Sequence, residues 1–379
     1  MIIYDPRSYS DVLFRLHGSV IPVIATKLLA VCLVATAAVI YNEANPDTEN
    51  PLPDDAHKIF GFLVGFLLVF RSTIAHKRFT DGVSKLSAME NHSLELTRKI
   101  CMYCSEGSGG WKEGEKLVRL RECRDEFRRM LVQFNVLCAV DMMRDLNDQV
   151  ERKGMLSGKS AANSDEASKP LTGGAGGAHA QGMTSGGKQR MELTDHTKRW
   201  TDIALIKSPA LFKPSEVEGH RTCGNHFVYQ AARNLEGAIF PLFKEKHFPH
   251  VNMLRECIGH VKALSATWSD CAVIAETPIP FPYVQLAKLF TFIFLFTLPF
   301  ALVEDLGRLT VIASAILGLG YLGLDAIATE MEQPFGQDLN DLPVAETVEK
   351  IEVGTRVLMS QLEGEELEGY DTQPFFTGE

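Results

Sequence analysis

The 379-residue sequence lacks the signatures of several common classes of protein. It contains no GxSxG, HExxH, phosphate-binding-loop or dinucleotide-binding motif, and no nucleophile has an obvious base beside it. Its eight cysteines do not have the dense, regular spacing of a secreted disulfide scaffold, so we expect reduced thiols. The first residues are partly acidic and hold no short apolar core, so we expect neither a cleavable signal peptide nor a transit peptide. The absence of catalytic motifs and of a nucleophile with a base argues against an enzyme.

An excess of positive charge is also missing. The net charge is −10, and residues 330–379 alone hold 13 Asp and Glu against 2 Lys and Arg. The rest of the chain is therefore close to neutral. A nucleic-acid-binding protein needs a basic face to offset phosphate charge. We therefore predict no nucleic-acid partner.

Four apolar runs have the length of a membrane-spanning helix. They are Ile21–Ile40, Ile59–Ala75, Tyr283–Val303 and Leu309–Ala328. Lys27 and Lys288 lie near the ends of two runs, from which a lysine can extend its ammonium group to the interface. A buried core helix in a large soluble protein is the alternative for each run. Because the runs come in two pairs, we predict an all-α membrane protein with four spanning helices.

The distribution of basic residues predicts the orientation of these helices. Residues 28–57 contain no Lys or Arg, whereas residues 71–99 contain six. The positive-inside rule therefore places both termini in the cytosol. The predicted segments are a cytosolic N-terminal segment at 1–20, spanning helices at 21–75, a helical cytosolic body at 76–283, spanning helices at 284–328 and an acidic cytosolic tail at 329–379. Within the body, residues 151–190 hold nine glycines and are predicted to be a flexible insert. The plasma membrane is the default location, and an organellar membrane such as the thylakoid is the alternative.

The second apolar run carries a stripe of phenylalanines. Phe62, Phe66 and Phe70 are spaced four apart, so on an α-helix each lies only roughly 40° from the next. The stripe is followed by polar residues: Arg71, Ser72 and Thr73. Polar groups at membrane depth usually face a water-filled cavity. Several copies of the helix around an axis would place the rings at a constriction that gates by dewetting, with the polar residues along an anion path. The alternative is a stripe that faces lipid or another helix.

A proline-rich stretch, TPIPFPY, precedes the third apolar run. Proline is well suited to the first turn of a helix because its missing N–H would be unpaired there. Pro278 and Pro280 therefore predict the beginning of the next helix, where free N–H groups can hold an anion. A rigid corner between the cytosolic and membrane parts is the alternative.

An acidic stretch, EMEQPFGQDLNDLPV, follows the fourth run. Carboxylate and amide oxygens are the ligands that calcium prefers. The candidate ligands are Glu330, Gln333, Asp338 and Asp341. The spacing is not that of a twelve-residue calcium-binding loop, and a helix cap followed by a turn is the favoured alternative.

These three stretches, in this order, resemble the bestrophin family of anion channels. The resemblance covers LLVFRSTIAHKRF, TPIPFPY, and PFG followed by NDLP, but neither the insert at 151–190 nor the tail beyond about residue 344. It implies a homopentamer with a central pore for chloride and other monovalent anions, such as nitrate or bicarbonate. By motif, Phe62, Phe66 and Phe70 would form the neck of that pore. A second constriction at the cytosolic exit would lie in residues 244–250.

The resemblance also bears on calcium. Animal members of the family bind calcium after the PFG motif, and Asp338 and Asp341 match two acidic ligand positions. The NDLP form is more similar to bacterial and plant-plastid members, in which calcium gating is not general. We therefore expect no required cofactor, with calcium as a possible one.

Two other classes of function stay open. The first is a zinc-binding protein. His220, Cys223 and His226 are spaced three residues apart, and a zinc site could combine them with Cys101 and Cys104. A single CxxC is a weak signal for such a site. A non-conducting membrane scaffold is the other class; its cytosolic body would bind partners and its aromatic stripe would only pack helices.

Overall fold

The computed structural model describes residues 15–45, 54–104, 115–143, 211–222, 226–248, 250–336 and 338–363, and it describes no side chains for residues 54–56, 115–117, 218, 220–222 and 361–363. Within these residues the regular structure is α-helix and one short 3₁₀ turn, which confirms the predicted all-α class. The predicted insert at 151–190 and the end of the acidic tail lie outside the described residues.

Nine α-helices account for most of the described chain. They are α1 (Ile21–Ala44), α2 (Asp54–Tyr103), α3 (Glu115–Met142), α4 (Pro214–Thr222), α5 (Phe227–Lys244), α6 (Val251–Glu276), α7 (Phe281–Leu306), α8 (Thr310–Met331) and α9 (Val344–Glu363).

The chain divides into two compact units. The first comprises Met1–Val83 and Ile274–Leu342, and the second comprises Ser84–Val273 and Pro343–Glu379. Helices α2 and α6 each contribute to both units. The boundaries predicted from the sequence, at 75/76 and 283/284, fall within α2 and α7 because both helices continue past the limits of their apolar runs.

Three stretches are long and apolar enough to cross a membrane. They are Ile21–Ala44, His57–Tyr103 and Phe281–Met331. The third contains α7 and α8, which are separated by the 3₁₀ turn Gly307–Leu309. Gly307 has a φ of 51°, a conformation that a residue without a Cβ adopts readily. Apart from Leu309, which belongs to the 3₁₀ turn, the four predicted runs lie within α1, α2, α7 and α8. Their number as spanning helices stays a prediction.

In the first unit, α2 packs against its neighbours through a narrow buried seam. The seam consists of residues three and four apart: His57, Gly61, Val64, Leu68, Arg71 and Ala75. Val64 and Leu68 share a core with Val31 of α1 and with Phe294, Leu295 and Leu298 of α7. Apolar residues at this spacing form one stripe on a helix, and their burial is favourable. The seam therefore determines which face of α2 is left uncovered.

Gly61 allows α2 to approach α7 closely. A Cβ at this position would lie 2.7 Å from Cε2 of Phe294. The hydroxyl of Tyr321 donates a hydrogen bond to the carbonyl oxygen of Gly61 at 3.1 Å. A larger residue at position 61 would displace the Phe294 ring, so the glycine is required by contact and not by backbone conformation.

The same seam buries a charge. Arg71 is 1% exposed, and its guanidinium is paired with the carboxylate of Asp325 in α8. Nη2 of Arg71 also donates to the hydroxyl of Thr329 at 3.0 Å and lies 3.5 Å from a carboxylate oxygen of Glu332. A buried charge is tolerated only when it is paired and hydrogen-bonded. This pair therefore holds α2 against α8 at one rotational setting.

Arg78, two turns further along α2, binds backbone carbonyls. Its guanidinium donates to the carbonyl oxygens of Ile274 at 2.6 Å, Thr277 at 2.7 Å and Glu332 at 2.9 Å. Hydrogen bonds from a charged donor are stronger than neutral ones. One side chain thus connects α2 to the end of α6, to the segment before α7 and to the segment after α8.

The second unit has its own core. Helix α3 packs against α5 and α9, and it buries Phe127, Leu131 and Phe134. The indole N–H of Trp268 donates to the carboxylate of Asp141 at 3.1 Å. An ion-paired group, in which Arg129 binds Glu126 at 2.8 Å and Glu216 at 2.6 Å, joins α3 to α4. Hydrogen bonding from Arg129 lowers the pKa of Glu126 to about 2. In this core α3 is an amphipathic helix: its charged residues bind one another and α4, while its apolar residues are buried.

The Arg71–Asp325 pair can be tested by removing its members singly and together. Removing one member leaves a buried charge without its main partner, so Arg71→Met and Asp325→Leu are each expected to destabilise the protein by about 3–5 kcal/mol. The double variant should recover most of that loss because neither charge remains. Thermal unfolding of the four proteins in detergent measures the effect. Additive losses in the double variant would contradict the pairing.

Candidate functional site

The three phenylalanines of the predicted stripe lie on the uncovered face of α2. Phe62, Phe66 and Phe70 are 78%, 55% and 51% exposed in the isolated chain. At about 3.6 residues per turn, the centre of the stripe lies roughly half a turn away from the buried seam. The rings of Phe66 and Phe70 meet edge to face, with centroids 4.7 Å apart. The stripe is therefore a continuous aromatic surface that no described residue of this chain covers.

The exposed face continues on both sides of the phenylalanines. Ile59 precedes Phe62 by three residues and is 72% exposed. Thr73 and Lys77 follow Phe70 by three and seven residues, and both are exposed. Along one face the helix thus changes from apolar to aromatic, then to a hydroxyl and a cation. Lys77 is one of the charged residues that follow the stripe in the sequence, and it was not predicted to lie on the same face, although its spacing of seven from Phe70 indicates this.

The three polar residues after the stripe have different placements. Arg71 lies in the buried seam, so the expectation that it lines an anion path is wrong for this structure; on a helix the residue after Phe70 is turned by about 100°. Ser72 is partly buried, and its hydroxyl has no hydrogen-bond partner among the described residues. Thr73 is exposed and donates to the carbonyl oxygen of Val69 at 2.9 Å. Of the three, only Thr73 extends the stripe.

The proline-rich stretch does precede a helix. Helix α7 begins at Phe281, and Pro280 is its N-cap residue. Pro278 and Pro280 have no N–H to offer, the N–H of Ile279 donates to Glu332 at 3.1 Å, and the N–H of Tyr283 donates to the Pro280 carbonyl at 3.1 Å. Few backbone donors are left for an anion. The geometry favours the rigid corner, which the hydrogen bonds of Arg78 also stabilise.

The acidic stretch after α8 forms a hydrogen-bonded turn. A carboxylate oxygen of Asp341 accepts a hydrogen bond from the N–H of Asp338 at 2.7 Å, and the N–H of Asp341 donates to the Asp338 carbonyl at 3.1 Å. Asp341 is only 5% exposed. Burial raises the pKa of Asp341 to about 6, and the charges of Asp338 and Glu330 act in the same direction.

The remaining candidate calcium ligands differ in their hydrogen-bond partners. Glu330 accepts a hydrogen bond from the amide of Asn340 at 2.6 Å, and that amide also donates to the Gly18 carbonyl at 3.1 Å. The side chain of Gln333 makes no hydrogen bond with a described residue. Calcium needs six or more oxygen ligands, whereas one carboxylate oxygen of Asp341 and one of Glu330 already accept protein hydrogen bonds. The oxygen atoms of these four residues are therefore better suited to a hydrogen-bonded turn than to a calcium site.

The candidate zinc ligands do not support a metal site. Cys101 and Cys104 are buried, and burial raises the pKa of Cys104 to about 12, so its thiol is neutral. Cys223 and the side chain of His220 lie outside the described residues. Among the residues that are described, no group of three or more His, Cys, Asp and Glu could hold a metal ion.

The predicted second constriction, at 244–250, is described except for residue 249. Lys244 ends α5, and Lys246 has a φ of 61°, which is uncommon for a residue with a Cβ. The second constriction in this segment stays a prediction.

Comparison with known sequences identifies the family. The sequence pattern of the family described as Bacterial/Fungal Bestrophin protein matches residues 1–180 and 214–357. This match covers most of the chain, including the stripe, the proline-rich stretch and the turn after α8.

The individual relatives fall into two kinds: some match most of the chain at low identity, and others match a short part of it at higher identity. A voltage-dependent anion channel-forming protein of Synechocystis is 24% identical over 347 residues, which are 90% of this chain and 88% of the relative. A protein of the same name from Salmonella typhi is 39% identical over 90 residues. This chain spans only 30% of the length of that relative in the match. Both names describe channel-forming proteins and not enzymes, in agreement with the prediction.

Solved structures share the fold. A bacterial bestrophin homologue from Klebsiella pneumoniae, in a mutant form, matches with a TM-score of 0.63 at 18% identity, over 89% of this chain and 99% of that chain. A structure described as a membrane protein matches with a TM-score of 0.64 at 17% identity, over the same shares of the two chains. The apolar helices and this shared fold identify a membrane protein. With the family pattern matched over most of its length, the chain belongs to the bacterial and fungal bestrophin family.

Proposed function

We propose that this protein is a passive channel for monovalent anions, in which several copies of α2 surround a central pore. The observation that carries the proposal is the stripe of Phe62, Phe66 and Phe70, whose rings lie exposed on the face of α2 opposite its buried seam. In an oligomer these rings would form a hydrophobic neck that gates by dewetting.

The residues that continue the stripe favour a pore over a lipid-facing surface. An aromatic stripe alone would suit lipid equally well. Lys77 and Thr73 share the exposed face with the phenylalanines. A cation at this place is costly in hydrocarbon and is favoured beside water. The change from rings to a hydroxyl and an ammonium along one face is therefore better suited to a neck that opens into a wet vestibule.

A pore of this kind requires more than one chain. One α2 helix cannot enclose an axis, so the neck needs a closed ring of identical subunits. The resemblance to bestrophins implies five. A relative that covers most of this chain is named as an anion channel-forming protein, which supports an anion as the permeant ion, and we propose chloride, nitrate or bicarbonate.

Preference for anions would come from Lys77. The charge of Arg71 is offset by the carboxylates of Asp325 and Glu332 within the same unit. Lys77 has no ion-pair partner among the described residues. A ring of such lysines beside a narrow neck raises the local concentration of anions and repels cations.

The orientation of the helices is also proposed. Arg308, between α7 and α8, pairs with Glu43 at the end of α1 at 2.7 Å, so these ends lie on one side. At the other side, Asn340 after α8 bonds Gly18 before α1. With the positive-inside rule, this arrangement supports cytosolic termini. The plasma membrane is the default location and the thylakoid the alternative.

Removing the rings should open the neck. Replacement of Phe62, Phe66 and Phe70 together by alanine is expected to raise anion flux severalfold, because a wider and less apolar neck is more easily wetted. Flux is measured in vesicles that contain the purified protein, with chloride and nitrate as test ions.

The matched control removes similar apolar groups from an exposed face of α7. Leu286, Leu289 and Ile293 are 43%, 50% and 40% exposed, and their replacement by alanine should leave flux unchanged. Equal effects of the two triple variants would argue for a general loss of packing. No flux from the native protein under any condition would favour the non-conducting scaffold instead.

Reversing the charge at position 77 should reverse the ion preference. In asymmetric potassium chloride the native protein is expected to show a reversal potential close to that of chloride. Lys77→Glu should move it towards that of potassium. Lys262→Glu, at an exposed position of α6, makes the same change in net charge and serves as the control. A potential that tracks potassium in the native protein would contradict an anion channel.

We propose that the turn after α8 is structural and does not sense calcium. Flux is then expected to be equal in chelator and in millimolar calcium, because Asp341 is already bonded to the backbone of Asp338. Vesicle flux under both conditions checks this. A current that disappears in chelator, but becomes independent of calcium in Asp338→Asn, would restore the calcium-binding hypothesis.

A further inference from the structure

A cavity of about 470 Å³ lies between α1, α7 and α8 of the first unit. Most of its wall is apolar, and the apolar residues are Ala30, Val31, Phe292, Leu295, Phe296 and Leu322. Phe292 is 58% exposed, so the cavity opens at an apolar outer surface of these helices. Its volume lies within the range of about 300–1,000 Å³ that is usual for ligand sites.

Two lysines line the same cavity. Lys27 extends from α1 and Lys288 from α7, and both are exposed. Neither makes a hydrogen bond or ion pair with a residue that the structure describes. Lysines in membrane-crossing helices are costly and commonly have a specific partner. Two unpaired cations at one apolar cavity therefore call for an anionic partner from outside the chain.

The two lysines lie at similar depths. Lys27 is six residues from the first residue of α1 and Lys288 is seven from that of α7, or about 9–10 Å along each helix. The Arg308–Glu43 pair joins the opposite ends of these helices, so both begin on the same side.

The carboxylate in the cavity wall does not neutralise them. Asp325 also lines the cavity, but its carboxylate is paired with Arg71. The hydroxyl of Thr26, next to Lys27, adds a donor at the same level. The polar end of the cavity is thus left with two uncompensated positive charges.

We propose that this cavity binds an acidic phospholipid of the surrounding bilayer. The lipid phosphate lies between Lys27 and Lys288, and one acyl chain lies along the wall formed by Val31, Leu295 and Phe296. Basic pockets between membrane helices recognise anionic head groups in this way. The site is separate from the proposed neck, and its test does not depend on conduction.

Native mass spectrometry of the purified protein, titrated with phosphatidylglycerol or phosphatidylcholine, tests the proposal. Phosphatidylglycerol is expected to bind more tightly than phosphatidylcholine. In the double variant Lys27→Gln, Lys288→Gln, its affinity should fall about 30-fold, since each lysine near an anionic lipid contributes about 1 kcal/mol and every 1.4 kcal/mol is a factor of about ten in affinity. Affinity for phosphatidylcholine should stay unchanged.

Three further variants separate charge, cavity and fold. The double variant Lys27→Arg, Lys288→Arg keeps both charges and should retain the preference for phosphatidylglycerol. Ala30→Phe narrows the cavity and should weaken binding while both lysines remain. Lys244→Gln with Lys262→Gln makes the same change in net charge at exposed positions of the second unit and should have no effect.

Several outcomes would overturn the proposal. Equal affinity for the two lipids, or an unchanged affinity in the glutamine variant, would mean that the lysines only extend to the membrane interface. If oleate binds the native protein and phosphatidylglycerol does not, the site belongs to a free fatty acid. If the Lys244→Gln, Lys262→Gln control also loses binding, the effect of the Lys27 and Lys288 variant reflects only the net charge of the protein.

Discussion

The position of α2 depends on the burial of one charged side chain. Arg71 lies in the seam between α2 and α8, where only the pairing with Asp325 and the bond to Thr329 make a guanidinium acceptable. Since neighbouring residues on a helix differ by about 100°, holding Arg71 inward turns Phe70 outward. The direction of the aromatic stripe thus follows from an ion pair that lies outside the proposed pore.

Three cations along α2 have three separate roles. Arg71 is buried and sets the rotation of the helix. Arg78 donates to three backbone carbonyl groups, at the end of α6, before α7 and after α8. Lys77, between them in the sequence, is exposed on the face of the stripe. A basic residue near the proposed pore therefore does not by itself indicate contact with an anion. Its partner within the chain determines whether its charge is available.

The parts of the site that have a local cause were predictable from the sequence. The stripe follows from a spacing of four, and the beginning of α7 follows from the prolines before it. The role of Arg71 was mistaken, because Asp325 is 254 residues away and no local pattern relates the two. The two-lysine cavity was also beyond prediction, since it needs side chains from three helices. Lys77 stood among the charged residues that follow the stripe, and its spacing of seven from Phe70 is the local signal that places it on the same face.

The close contact at Gly61 has a consequence for how this helix can change over time. The seam residues meet fixed neighbours, so substitutions there alter the fold and are removed by selection for a stable protein. Apart from the contact between the rings of Phe66 and Phe70, the phenylalanines are largely uncovered within the chain, so folding places little restraint on them. One helix thus has two edges under different constraints: substitutions at the seam change the stability of the chain, whereas substitutions on the opposite edge are expected to leave its fold intact.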